Sequence, residues 1–226
     1  MSNLIGALNH SIFLYPVAFC AIVAIVLTLE RIYYLLVRAS IAPRPFMDQI
    51  QRLVLAGNLD GAIHVCTSAP TAPLANVVKA ALRHADGDRE ELQMAVEQAT
   101  LDAAPGLQAR VGYLATIANV VTLFGLLGTI VGLIQSFDAV AQANPEDKQR
   151  LLAEGIAIAM YTTAGGIAVA IPTLVAHSML VMRSNAILDD VDRYALKVVM
   201  LLEARRKGRG VEEIAAVPEN PAPELV

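Results

Sequence analysis

Hydroxyl side chains recur on two rows of small residues, and these rows are where the chain could handle a titratable group. At 3.6 residues per turn, Ala118, Thr122, Gly125, Thr129, Gly132 and Ser136 fall within about 40° of one line along a helix. Leu123, Leu127, Ile130 and Ile134 fall opposite. Ala159, Thr163, Gly166, Ala170, Thr173 and His177 form a second such line, with Thr162 beside Thr163 and with Tyr161, Ile171 and Val175 away from it. Two readings fit. A small-residue row such as Gly128 to Gly132 can be a helix association face, with each threonine bonding its own backbone. Alternatively both rows face a lumen or a partner helix, and the threonines offer their hydroxyls to something that titrates.

The elements that must position these residues are two long uncharged stretches, Val111 to Phe137 and Gly155 to Met182, each long enough to cross the hydrocarbon core. A third, Ser11 to Leu29, is also uncharged. The chain is 56% hydrophobic and only 17% charged, with mean hydropathy +0.54, which reads as a membrane protein. Thr129 lies as far before Phe137 as Thr163 lies after Gly155, so antiparallel spans would set both hydroxyls at one depth, roughly 12 Å from the outer end. No Asp, Glu, Lys or Arg occurs in the three uncharged stretches. A proton relay normally needs an ionisable side chain within the bilayer, so if ions cross here the carboxylate comes from another polypeptide. His177, near the cytoplasmic end, reads as an interfacial or packing histidine.

Lys and Arg concentrate between Arg31 and Arg110 and after Met182, whereas the first ten residues have none and the loop Asp138 to Glu154 has only Lys148 and Arg150. The positive-inside rule makes the two basic regions cytoplasmic. The expected order is a periplasmic start (1–10), transmembrane helix (11–36), helical cytoplasmic insert (37–110), transmembrane helix (111–137), short periplasmic loop (138–154), transmembrane helix (155–182), cytoplasmic helix (183–207) and disordered acidic tail (208–226). A cleaved signal peptide is not expected, because the start lacks basic residues and the first apolar run is too long. Cys20 in a span and Cys66 in a polar region argue against a disulfide.

Within the insert, Ala42-Pro43-Arg44-Pro45 breaks the first helix. Phe46, Ile50, Leu53 and Val54 then repeat with helical spacing. Asn58 caps a helix through Cys66, Thr71-Ala72-Pro73 opens another through Leu82, and Asp88 with Glu91 forms a capping box. Pro105-Gly106 is expected to kink or break the last of these.

Leu114-Ala115-Thr116-Ile117-Ala118, then Gly125-Leu126-Leu127-Gly128-Thr129-Ile130-Val131-Gly132 and Ser136-Phe137, resemble the second span of the ExbB and TolQ proteins, relatives of the flagellar stator protein MotA. Thr162-Thr163-Ala164-Gly165-Gly166 with Ala170-Ile171-Pro172 resembles their third span, and Leu29-Glu30-Arg31 with Tyr34 the end of their first. The resemblance implies an all-α membrane protein of three transmembrane helices with helical cytoplasmic extensions, assembled as a pentameric ring. The ring would enclose the transmembrane helices of a dimeric ExbD-, TolR- or MotB-like partner whose aspartate takes up and releases protons. Work would pass to an envelope protein such as TonB, TolA or a gliding-machinery component. Pore threonines correspond to Thr129 and Thr163, and the implied pore lining adds Thr162, Thr122, Gly125, Gly132, Gly166 and Ala170. One position departs from the pattern: Ile158 stands where many ExbB and TolQ proteins have a glutamate, and Glu154 lies one turn outward. A membrane scaffold without conduction is the alternative. An enzyme is disfavoured, since no metal-ligand cluster, nucleophile constellation or phosphate loop is apparent and Gly165-Gly166 lies within a span. No cofactor is expected, and the net charge of −4 without a basic patch disfavours nucleic acid.

Overall fold

A computed structural model describes residues 14–39 and 41–206. The expected periplasmic start (1–10) and acidic tail (208–226) lie outside the described residues, as does Lys207. The described chain is helical: α1 (Leu14–Tyr33), a π-turn (Tyr34–Arg38), α2 (Pro43–Leu55), α3 (Leu59–Thr67), α4 (Pro73–Arg83), α5 (Arg89–Gln108), α6 (Val111–Gln142) and α7 (Lys148–Arg206). Three helical stretches, containing α1, α6 and α7, are long and apolar enough to cross a membrane. The 59 residues of α7 far exceed the ~20 that a hydrocarbon core needs, so only part of it can lie in lipid.

The chain divides into two compact units. The first contains α1, α6 and α7 as far as Met182. Val17 of α1, Ala118 and Val121 of α6 and Ala170 of α7 are buried together, with Cys20, Phe124 and Val169 packed around them. The large apolar side chains point the other way. Leu123, Ile130 and Ile134 of α6 and Tyr161, Ile171 and Val175 of α7 are each at least half exposed. That is the division of faces predicted by the helical spacing. Pro172 sits inside α7 and lacks an N–H, and the adjacent Thr173 Oγ1 donates to the Val169 carbonyl at 2.7 Å. At one end of this unit Arg110 pairs with Glu30, the last turn of α1.

The second unit contains α2 to α5, through Leu107, and α7 from Arg183 onward. Its core joins Phe46, Ile50 and Val54 of α2, Ala62 and Cys66 of α3, Leu74, Val77, Val78 and Leu82 of α4, Leu92 and Val96 of α5, and Val191, Tyr194, Val198 and Leu202 of α7. Gly57, at φ 78°, turns α2 into α3, where a left-handed residue is easiest for glycine. Asn58 Oδ1 accepts from the Gly61 N–H at 2.8 Å and caps α3. Thr71 does not cap α4: its hydroxyl donates instead to the Arg38 carbonyl at 3.0 Å, and Pro73 begins the helix after an uncapped Ala72. Asp88 precedes α5, its carbonyl accepting from Leu92 N–H at 2.9 Å and its carboxylate lying 3.5 Å from Arg206. Arg89 pairs with Glu203 at 2.9 Å.

Pro105-Gly106, expected to kink or break its helix, does not break it. Helix α5 runs through Pro105 and Gly106 and ends at Gln108. The interruption comes at Arg110, whose φ of 63° makes it the one non-glycine residue of positive φ among the described residues. Proline removes one N–H and thus one intrahelical bond, to Leu101, and Leu101 is 66% exposed. A left-handed residue ends the helical path outright.

Candidate functional site

The two small-residue rows meet. Across the α6–α7 pair, Gly125 stands against Thr162, Thr163 and Gly166, Gly128 against Thr162, and Gly132 against Ala159. A Cβ built on Gly166 would lie 2.9 Å from the Val121 carbonyl oxygen, and one on Gly125 would lie 3.1 Å from the Thr162 carbonyl oxygen. A side chain on Gly155 would collide with Ser136. Backbones approach this closely only where side chains are absent or small.

At the centre of the contact is the Gly125 carbonyl. The Thr163 hydroxyl donates to it across the pair at 3.0 Å. Thr162 Oγ1 lies 3.3 Å from the same oxygen and 2.7 Å from the Ala159 carbonyl of its own helix. Helix α6 is regular here, so the Gly125 carbonyl also receives the Thr129 N–H, four residues on. One backbone oxygen therefore joins the backbone of Thr129 to the side chain of Thr163. The facing residues place Thr129 within about one turn of Thr163 in depth.

The predicted site residues divide by environment. Thr162 is 1% exposed, wedged against Gly125 and Gly128, and Gly125 and Gly166 are buried with it. Ala170 is buried against Val17, Ala118 and Val121. Gly132 is half-buried beside Ala159. Thr163 and Thr129 are half-buried at the edge of the contact, and Thr122 is exposed. Thr129 Oγ1 donates to the Leu126 carbonyl at 2.6 Å and Thr122 Oγ1 to the Ala118 carbonyl at 2.9 Å, both within α6. His177 is half-buried and Ile158, at the variant position, is half-buried on α7. Glu154 is exposed and pairs with Arg150 at 3.5 Å.

The sequence singled out the rows but not the partner of each residue on them. The double use of the Gly125 carbonyl, the wedge of Thr162 against Gly128 and the Glu30–Arg110 pair depend on which helix faces which. The only advance signal was the Thr162-Thr163 doublet, which guarantees that one hydroxyl points about 100° from the other. Chemically, the arrangement holds hydroxyl oxygens at the rim of a tight helix pair, on stretches that contain no Asp, Glu, Lys or Arg. Among the described residues no group of three His, Cys, Asp or Glu side chains could hold a metal ion.

Residues 69–193, more than half the chain, match the MotA/TolQ/ExbB proton channel family. The chain is 36% identical over 103 residues to the Tol-Pal system protein TolQ of Haemophilus influenzae, covering 46% of this chain and 45% of that protein. It is 26% identical over 183 residues to a putative biopolymer transport protein ExbB homolog of Methanothermobacter thermautotrophicus, covering 80% of this chain and 63% of that one. The chain thus aligns with about half of the length of these curated relatives. Its fold is similar to a chain in the structure of C. jejuni MotAB, with a TM-score of 0.61 at 16% identity over 93% of this chain and 83% of the other. The matched family region contains the whole α6–α7 contact, and the chain belongs to the MotA/TolQ/ExbB proton channel family.

Proposed function

We propose that this chain is the ring-forming subunit of a proton-driven motor in a bacterial inner membrane, five copies enclosing the transmembrane helices of a dimeric partner of the ExbD, TolR or MotB kind. The observation that carries this is the α6–α7 contact inside the matched family region, with half-buried Thr129 and Thr163 at its edge. The uncharged stretches of the spans supply hydroxyls and no carboxylate, so the proton carrier belongs to the partner. In this reading Thr162, Gly125, Gly166 and Ala170 hold the helices together, Gly132 keeps the approach close, and Thr129, Thr163 and Thr122 face the lumen. The N-terminus is periplasmic, and the second unit and C-terminus are cytoplasmic, as the Lys and Arg distribution favours.

A charge falling through 100 mV releases about 2.3 kcal/mol. That is comparable to one or two hydrogen bonds to a buried carboxyl. Repeated hydroxyl stations therefore suit stepwise motion, and the output would act on an envelope protein in transport, envelope maintenance or motility. The scaffold reading is favoured by one observation, that Thr129 and Thr122 bond their own backbone. Reconstitution separates the two. Chain and partner together should carry proton flux well above either alone, and equal flux from chain and complex would leave only the scaffold.

A further inference from the structure

In the second unit, a pocket of about 330 Å³ lies between α7 and the chain that enters α2, with Leu74 of α4 in one wall. Ala39, Pro43, Leu74 and Ile187 make its sides apolar, and the charged residues lining it are Arg183 and Asp190. Ala39, Leu74 and Ile187 are buried, Arg183 is exposed and Asp190 is half-buried. Both charges belong to α7, seven residues apart. That spacing is two turns, so they share one face and stand about 10 Å apart along the axis.

Their order along α7 carries the chemistry. Arg183 is the first residue after the uncharged stretch that ends at Met182, and Asp190 lies two turns farther from it. In a phospholipid the phosphate adjoins the glycerol, and the rest of the headgroup reaches farther into the water. A cation nearest the hydrocarbon followed by an anion farther out therefore complements a phosphate followed by an ammonium. The guanidinium fork fits phosphate oxygens. With five N–H donors, Arg183 can engage a phosphate and keep its interaction within the protein. A primary ammonium brings three donors, and the Asp190 carboxylate accepts. The apolar walls keep water from one side of both contacts, which strengthens them.

We propose that this pocket binds the headgroup of phosphatidylethanolamine, its phosphate on Arg183 and its ammonium on Asp190. The site rests on the cytoplasmic placement of the second unit given above and goes beyond the motor reading, because it ties this chain to one lipid chemistry. Phosphatidylglycerol offers the same phosphate but no cation, and leaves Asp190 beside added negative charge. Phosphatidylcholine keeps the cation but has no N–H to donate. The order of affinity is therefore phosphatidylethanolamine, phosphatidylcholine, phosphatidylglycerol.

The test is native mass spectrometry of the full chain in mild detergent, titrated with each of the three lipids carrying identical acyl chains. Wild type should hold phosphatidylethanolamine about tenfold more tightly than phosphatidylglycerol, the size of one charge-assisted hydrogen bond. Arg183→Gln should weaken all three lipids. Asp190→Asn should weaken phosphatidylethanolamine by about tenfold without weakening phosphatidylglycerol, which erases the preference. Equal binding of the two lipids by wild type overturns the proposal, as does a preference that survives Asp190→Asn. Soluble O-phosphoethanolamine in equal amount should not displace the lipid; displacement would make this a site for a free phosphomonoester and overturn the lipid assignment. If Arg183→Gln fails to fold, Asp190→Asn, which keeps the side-chain shape, decides alone. Lipid retention is read on this chain without its partner, so a negative result leaves the proton-flux test of the motor reading standing. Failure of the cytoplasmic placement shows separately, as labelling from outside of a cysteine introduced at Ala85.

Discussion

Gly166 faces the Val121 carbonyl so closely that a methyl group there would stand 2.9 Å from the oxygen. Backbone cannot yield as a flexible side chain would, so Gly166→Val should force α6 and α7 apart and cost about 1–3 kcal/mol. Thermal unfolding in mild detergent checks this, with Gly165→Val as the control because nothing lies within 4 Å of a Cβ there. In the second unit, burial pushes the Cys66 thiol from an ordinary value of 9.0 up to about 11, against the lowering influence of Lys79. The sign follows from which state ionises first. The unfolded thiol loses its proton near pH 9.0 while the folded one keeps it, so Cys66 contributes its full stability below pH 9.0 and loses it as pH rises to about 11. Denaturant titrations of the wild type should steepen in pH dependence over that window relative to Cys66→Ala, and identical slopes would show the thiol to be accessible. Residue types alone revealed where hydroxyls sit in the sequence. They did not reveal that Thr162 is enclosed and Thr163 is at an edge, because neighbours on one helix turn diverge by about 100° and only the facing helix decides between them.

The short helices of the second unit were legible because their signals are local. Asn58 caps α3 as its position predicts, and Asn58→Ala should destabilise the unit by about 1 kcal/mol in a denaturant titration. Thr71-Ala72-Pro73 opens α4 as its position predicts, with Pro73 at the first turn, whereas Pro105 does not break α5. Thr71 donates to a nonlocal acceptor, the Arg38 carbonyl, and α5 continues through Pro105 to Gln108. The true break at Arg110 carries no sequence signature, since arginine has no preference for positive φ. Its pairing with Glu30, on the unit that also contains α1, lies eighty residues away in sequence. Arg110→Gly separates the two contributions: it relaxes the backbone and deletes the ion pair. Both groups are about half exposed, so the pair contributes at most about 1 kcal/mol, and the variant should unfold within that range of the wild type.

At the scale of the whole molecule, three spans were readable because twenty uncharged apolar residues admit few other fates, and the family was readable because the glycine and threonine spacing on α6 and α7 is long and ordered. Side preference in the membrane rests on the Lys and Arg distribution. Cysteines introduced at Ala143 and Ala85 should therefore label from opposite sides, Ala143 from outside, and labelling from one side would remove the three-span topology. Copy number and partner came from the resemblance and not from residue spacing, because they depend on surfaces that one chain leaves uncovered: Leu123, Ile134, Phe137, Met160 and Ile171 are all more than half exposed. Lipid, other copies or partner helices must cover them. The most direct test of the central claim is proton flux through the reconstituted complex at matched protein level, comparing wild type with the double variant Thr129→Val and Thr163→Val. Valine keeps the shape and removes the hydroxyl, so the account predicts that the partner still co-purifies while flux falls to near that of the chain alone. Undiminished flux from the double variant would contradict it and return both rows to helix packing.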